Sequence, residues 1–289
     1  MPSQRSVLIT GCSQGGIGDA LAQRFHEEGL LVFASARNLA KVEHLKTLGI
    51  HVLQLDVVDH DSIARTVREI TSLTSGKLDV LINNSGGGYA VPLLDSDARK
   101  AKDMFEVNVF ALISVTKAFF PLLTTSKGTV VNIGSVLGYT PYPWSGWYNA
   151  SKAAANLLTD QLRVELEPFG VRVVLVVAGA IKTKFMENLA DLPHLLPSSP
   201  YYPARGVVEE VMSGSELEKG AADVNVVARA IVKNVLQTTP KKHHWLGGGS
   251  STIWLAHTFG WATVWDFLWT SAANLGTVSQ ILRTKQKST

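Results

Sequence analysis

Short, unbroken apolar runs alternate with helix-periodic stretches over most of the chain. Val7-Leu8-Ile9 begins the series. Ile17, Leu21 and Phe25 then share one face of a helix predicted over residues 17–28, which Gly29 can end. Residues 30–34 read as a buried strand, and Asn38 is placed to cap a second helix carrying Leu39, Val42 and Leu45. A third strand at 51–55, a third helix at 59–73 and a fourth strand at 78–82 follow. Residues 98–123 hold one long helical pattern, closed near Pro121. Strand Thr129–Ile133, helix 147–167 and strand 171–177 carry the rhythm on, and after a gap a helix at 222–236 and a short strand at 244–246 complete it.

The strand segments are continuous Val/Ile/Leu runs, the pattern of strands covered on both faces. Their alternation with helices predicts an α/β fold: a Rossmann-like, doubly wound parallel sheet of seven strands flanked by helices. Residues 1–250 form one catalytic domain in this reading. The gap at 182–222 holds Pro193, Pro197, Pro200 and Pro203, Tyr201 and Tyr202, and little helical patterning; a lid over a substrate is expected there. Residues 251–289 are a hydrophobic, aromatic-rich C-terminal extension, since five of the seven tryptophans lie from Trp245 onward. Trp254, Trp261, Trp265 and Leu268 fall on one face of a helix there. Two readings stay open: peripheral membrane contact through 251–269, because Trp favours that boundary, or packing on the substrate pocket or a second subunit. Asp266 and the scarcity of Lys and Arg count against the first.

Composition narrows the classes. The net charge of +3 and the absence of a Lys/Arg run before residue 283 argue against nucleic acid as a partner. The single cysteine, Cys12, excludes an intrachain disulfide and fits a reducing compartment. No signal-type N-terminus and no run of 18 uninterrupted apolar residues is present, so a cytoplasmic location is expected. If the tail contacts membrane, the surface of an internal membrane or a lipid droplet is the place.

The candidate chemistry sits at three points. Thr10-Gly11-Cys12-Ser13-Gln14-Gly15-Gly16-Ile17-Gly18 joins the first strand to the first helix. Gly11, Ser13, Gly16, Ile17 and Gly18 there form a turn suited to a pyrophosphate, at a helix N-terminus with free N–H groups. The second strand ends in Ser35-Ala36-Arg37-Asn38, without the carboxylate that binds an NAD ribose. Arg37 can pair with a 2′-phosphate instead, so NADPH/NADP is expected. Asp56, after the third strand, can accept from the adenine amino group or merely cap its loop. Tyr148 and Lys152 stand four apart and share a helix face. A cation beside a phenol lowers its pKa from roughly 10, and such a phenol can protonate a carbonyl. Trp144 and Trp147 flank that tyrosine, and Tyr89 with Val91, Pro92 and Leu93 follows the fourth strand. Together they suggest an apolar pocket for a bulky or lipid-like ketone beyond the strand ends.

Taken in order, Thr10-Gly11…Gly16-Ile17-Gly18, Asn83-Asn84-Ser85-Gly86, Asn108 and Ser135…Tyr148…Lys152 resemble the signatures of the short-chain dehydrogenase/reductase family over roughly residues 5–248. The resemblance implies that Tyr148 is the general acid in reduction. Lys152 lowers its pKa and binds the nicotinamide ribose, and Ser135 holds the substrate carbonyl. Asn108 holds a water linking Lys152 to solvent. Asn83, Ser85 and Gly86 pack by the cofactor, as do Gly179 and Ile181, and Thr183 touches the carboxamide. It further implies hydride transfer from the pro-S face and a homodimer or homotetramer built through the long helices near 100–123 and 148–168.

Three features depart from the family's pattern. The glycine turn is one residue longer, Ala178-Gly179 stands for Pro-Gly, and Ser85 stands for alanine. Cys12-Ser13-Gln14-Gly15-Gly16-Ile17-Gly18 and Asn83-Asn84-Ser85-Gly86-Gly87-Gly88-Tyr89 are most similar to fungal NADPH-dependent 1-acyldihydroxyacetone-phosphate reductases and to ketoreductases of fungal natural-product pathways. The expected function is therefore NADPH-dependent reduction of a lipophilic ketone, in lipid or secondary metabolism. The alternatives are an alcohol dehydrogenase run toward oxidation, an isomerase or cyclase on the same fold, and a non-catalytic cofactor-binding scaffold.

Overall fold

The computed structural model describes residues 4–185 and 194–286. Its strands are β1 (Ser6–Ile9), β2 (Leu31–Ala36), β3 (His51–Gln54), β4 (Val80–Asn83), β5 (Thr129–Ile133), β6 (Arg172–Ala178), β7 (Ile181–Lys182), β8 (Ala222–Asp223) and β9 (His243–Leu246). Its helices are α1 (Ile17–Glu27), α2 (His60–Thr74), α3 (Ala98–Phe105), α4 (Ala111–Ser126), α5 (Gly146–Leu166), α6 (Arg205–Met212), α7 (Ser215–Lys219), α8 (Val224–Val235), α9 (Ser250–Phe259), α10 (Val264–Ala272) and α11 (Leu275–Gln286).

Seven strands form one sheet in the order β3-β2-β1-β4-β5-β6-β9, every pair parallel. The expected architecture is present. Successive residues of β1 go to opposite layers: Val7 and Ile9 pack with α1 and α8, Leu8 with α2 and α4. Burial on both faces is why these strands are unbroken apolar runs. Asp59 caps α2 by accepting the Asp61 N–H at 2.9 Å, and Asp223 caps α8 from Asn225 and Val226. The chain order reverses beside β1, so the ends of β1 and β4 open a crevice, the usual ligand site of such sheets.

Four local expectations change. The 98–123 helix is α3 and α4 joined by a five-residue π turn, Glu106–Phe110, and it runs through Pro121 to Ser126. Leu122 and Leu123 are buried beyond the proline, so packing holds the turn that propensity would end. The helix expected after Asn38 is two 3-10 segments, although Asn38 does cap the first through the Ala40 N–H at 3.0 Å.

The 182–222 gap is partly structured. β7 and β8 pair at its two ends, and Val208, Val211 and Met212 give α6 a buried face. Residues 186–193, with Pro193, lie outside the described residues.

The tail is three helices rather than one face. Gly260 ends α9 at a point where a Cβ would stand 2.3 Å from the Ala256 carbonyl oxygen. As a result Trp265 is 8% exposed while Trp254 and Trp261 are 41% and 67% exposed. Ile253, Trp265, Leu268 and Trp269 pack with Val136, Leu175 and Val177, so the tail covers the β5–β6 side of the sheet.

Candidate active site

At the end of β5 the chain enters Gly134, where a Cβ would lie 2.2 Å from Asn156 Oδ1 and so cannot be accommodated. Ser135 follows in extended conformation and caps a short 3-10 turn, its hydroxyl accepting the Leu137 N–H at 3.0 Å. Asn156 on α5 fixes its backbone, donating to the Ser135 carbonyl at 3.1 Å. Two turns earlier on α5 stands Tyr148, half-buried and hydrogen-bonded to the Ser135 side chain. Lys152, one turn later, is buried with its Nζ 5.9 Å from the centre of the Tyr148 ring, and donates to the Ile133 carbonyl at 3.0 Å.

The electrostatics differ from the simple expectation. Burial pushes the Tyr148 phenol up to about 12, and the Ser135 hydrogen bond only partly offsets this. Burial also pulls the Lys152 ammonium down to about 8. Desolvation thus outweighs the help a cation gives a phenolate at this distance, and Tyr148 is held protonated at neutral pH rather than poised to ionise.

Asn108 sits on the π turn, buried. Its Oδ1 accepts the Gly87 N–H at 2.8 Å, and its Nδ2 donates to the Gly87 carbonyl at 2.9 Å and to Ser151 Oγ at 3.0 Å. The Ser151 hydroxyl in turn donates to the Tyr148 carbonyl at 2.8 Å. The side chain therefore ties the loop after β4 directly to α5. Gly86 lies beside it: a Cβ there would be 3.3 Å from Asn108 Oδ1 and 3.8 Å from Lys152 Nζ.

The glycine turn and the loop after β4 are clamped together. The Thr10 hydroxyl accepts the N–H groups of Asn84 and Ser85, each at 3.0 Å. Asn84 Nδ2 donates to the carbonyls of Thr10 at 2.9 Å and Gly11 at 2.8 Å. Gly11, at φ 72°, leaves no room for a side chain beside Ser85, and a Cβ on Gly18 would be 2.6 Å from Asn84 Nδ2. Asn84 is the residue that the sequence reading quoted but did not single out. Asn83 faces the other way. It shares the sheet face of Leu81, and its amide donates to Thr116 Oγ1 on α4 at 3.0 Å and to Asn132 at 2.8 Å. Strand alternation could have assigned the two asparagines.

Within the turn the N–H groups of Cys12, Gln14 and Gly16 donate to Ser35, Lys41 and Ser13 carbonyls, and that of Gly15 to Asp19. Among the described residues, those of Gly11, Ser13, Ile17 and Gly18 find no protein acceptor. Unpaired donors around a helix N-terminus fit a phosphate. Arg37 is exposed at the end of β2 with its guanidinium unpaired among the described residues, and no acid follows it. Asp56 Oδ1 caps its own loop through the Val58 N–H at 3.2 Å.

Gly179 is required by its surroundings: its N–H donates to the Leu246 carbonyl at 2.7 Å, and a Cβ would be 2.3 Å from the Gly248 carbonyl oxygen. Ile181 pairs with Ala222, and Thr183 accepts the Phe185 N–H at 3.3 Å. Phe185, missed by sequence, brings its ring 6.4 Å from that of Tyr148.

The three candidate pocket aromatics separate. Trp144 takes a left-handed backbone, φ 62°, and sets its ring edge-on to Tyr201 at 4.9 Å. Its Nε1 is buried without a partner among the described residues. Trp147 turns to α3, donating to Ser96 Oγ at 2.8 Å and meeting Phe105. The Tyr89 hydroxyl accepts the Asp97 N–H at 2.8 Å. Among the described residues, no group of three His, Cys, Asp or Glu could hold a metal.

Comparison with known proteins agrees with this geometry. The family model described as short chain dehydrogenase matches residues 5–192. The chain is 38% identical over 258 residues to the short-chain dehydrogenase cctT of Talaromyces islandicus, covering 88% of this chain and 90% of that one. It is 40% identical over 216 residues to the NADPH-dependent 1-acyldihydroxyacetone phosphate reductase of Schizosaccharomyces pombe, covering 73% and 72%. A solved short-chain dehydrogenase from Streptomyces avermitilis superposes with a TM-score of 0.77 at 26% identity, covering 97% of this chain and 98% of its own. The chain is a member of the short-chain dehydrogenase family.

Proposed function

We propose that the protein is an NADPH-dependent carbonyl reductase for a bulky, lipophilic ketone, with Tyr148 as general acid. One observation carries this reading: the Tyr148 phenol, beside Ser135 and with Lys152 Nζ 5.9 Å from its ring centre, stands at the end of a crevice whose glycine turn leaves N–H groups unpaired among the described residues. The cofactor supplies the hydride. Tyr148 donates its proton to the carbonyl oxygen as negative charge grows there, and Ser135 donates a hydrogen bond to the same oxygen. Lys152 keeps positive charge near that oxygen at neutral pH and binds the nicotinamide ribose. Asn108 orients α5 through Ser151 and holds the route by which the proton is replaced. The free N–H groups of Ser13, Ile17 and Gly18 would hold the pyrophosphate, and Arg37 the 2′-phosphate. A phenol that stays protonated favours reduction over oxidation at neutral pH, and so does the expected NADPH.

The apolar substrate is supported by Phe185 beside Tyr148 and by Trp144 and Tyr201 beyond it. The fission-yeast relative suggests an acyl-dihydroxyacetone phosphate. Purified protein is expected to oxidise NADPH with that ketone or with a lipophilic polyketide ketone, followed by absorbance. No turnover with any ketone would sink the reading.

Two contacts with larger partners belong to the same proposal. Exposed Phe110, Leu157 and Val164 on the π turn and α5 suit a homodimer or homotetramer. Exposed Phe259, Trp261 and Phe267 suit peripheral contact with an internal membrane.

A further inference from the structure

The lengthened glycine turn meets the short segment after β7. Gly15, at φ 79°, accepts the Lys184 N–H at 3.2 Å. The Lys184 stem lies directly over it, for a Cβ on Gly15 would stand 3.0 Å from both Cγ and Cδ of the lysine. At the next residue the Phe185 ring faces Tyr148 at 6.4 Å. The turn formed by Thr183 and Phe185 stiffens the segment, and the pairing of β7 with β8 anchors its start. Residues 183–185 are thus a strap from the glycine turn to the catalytic tyrosine. In a dinucleotide laid along this crevice, the pyrophosphate occupies that interval.

The turn itself is poorly provided with positive charge. Four of its N–H groups, those of Cys12, Gln14, Gly15 and Gly16, serve protein acceptors. The acceptor for Gly15 is the Asp19 carboxylate, only 6% exposed in the first turn of α1. That carboxylate also meets His44 Nε2 at 2.8 Å, and a doubly charged anion beside it would find N–H groups but no cation within the turn itself. A cation on the facing wall offsets both deficits, and Lys184 is the side chain that the structure lays across the turn.

We infer that Lys184 is the cationic ligand of the cofactor's pyrophosphate, carried to the lengthened glycine turn by the 183–185 strap; this rests on the dinucleotide reading above. The test is the dissociation constants of NADP+ and NAD+, measured by calorimetry at low and high ionic strength. Lys184→Met keeps the stem over Gly15 and removes the charge. It should weaken both dinucleotides by the same factor, about tenfold, and flatten the salt dependence. Lys184→Arg should restore most of the affinity. Arg37→Ser should weaken NADP+ alone, which separates the 2′-phosphate from the pyrophosphate. Thermal unfolding of the unliganded Lys184→Met protein separates lost binding from lost folding. Unchanged binding of both dinucleotides, or a loss confined to NADP+, overturns the role of Lys184. A parent protein that binds neither dinucleotide overturns the oxidoreductase reading, and the strap's role with it.

Discussion

A lysine ammonium taken out of water must find partners or give up its proton, and Lys152 does some of each. It has one carbonyl partner, Ile133, and its proton affinity is lowered to about 8. The consequence for stability has a definite sign. Below pH 8 the folded and unfolded chains both carry the proton, so the cost of the buried charge is fully present. Between about 8 and the ordinary lysine value of 10.5 the folded protein releases the proton while the unfolded chain keeps it, and this contribution to stability rises with pH. Tyr148 acts oppositely, above pH 10: its folded value of about 12 lets only the unfolded phenol ionise, and stability falls. Comparing Lys152→Met with the parent isolates the lysine. In urea unfolding the variant should be at least as stable as the parent at pH 7, and the gap should narrow by about pH 9.5. A gap that widens over that range would contradict a lysine buried with its charge. Part of this residue scale is legible in the sequence. The four-residue spacing places Tyr148 and Lys152 on one face, but it does not say that burial outweighs their mutual charge effect. Alternation along β4 does separate Asn83 from Asn84, because Asn83 shares the face of Leu81.

Elements whose ends are set by local chemistry are the ones the sequence announces. Asp59 and Asp223 cap their helices, and the runs in β1, β5 and β6 are apolar throughout because both sheet faces are covered. Where distant contacts decide, the sequence is silent. The π turn at Glu106–Phe110 aims Asn108 between Gly87 and Ser151, residues far away in the chain. The tail advertises its aromatic content but not the break at Gly260, so Trp265 reads as a partner of Trp261 when it is a core residue. The extension also reaches the segment between Ser135 and Tyr148: Trp269 Nε1 donates to Thr140 Oγ1 at 2.6 Å, and its ring meets Tyr142 edge-on at 5.0 Å. Trp265→Ala should therefore destabilise the protein by about 3–5 kcal/mol, as expected for a buried tryptophan. Trp261→Ala, on the exposed turn, should cost less than about 0.5 kcal/mol. Equal, small losses in denaturant unfolding would mean that the tail is detachable.

Across the whole molecule, a parallel sheet brings the ends of β1, β4, β5 and β6 to one edge, and the functional segments converge there from some 170 residues of sequence, Thr10 to Thr183. That convergence follows from topology, so it was readable once the βα rhythm was. The proposed selector of the cofactor stands at the end of β2, where Arg37 occupies the place of an acid. Arg37→Asp should invert the preference from NADPH toward NADH in kcat/KM; an unchanged ratio would remove Arg37 from the 2′-phosphate site. The central claim concerns the other end of the crevice, where Tyr148 is the acid. The most direct measurement is Tyr148→Phe, assayed for NADPH-dependent ketone reduction together with the NADP+ dissociation constant. The account predicts a loss of kcat of about 100-fold or more with cofactor affinity nearly intact, whereas a near-normal rate would contradict it.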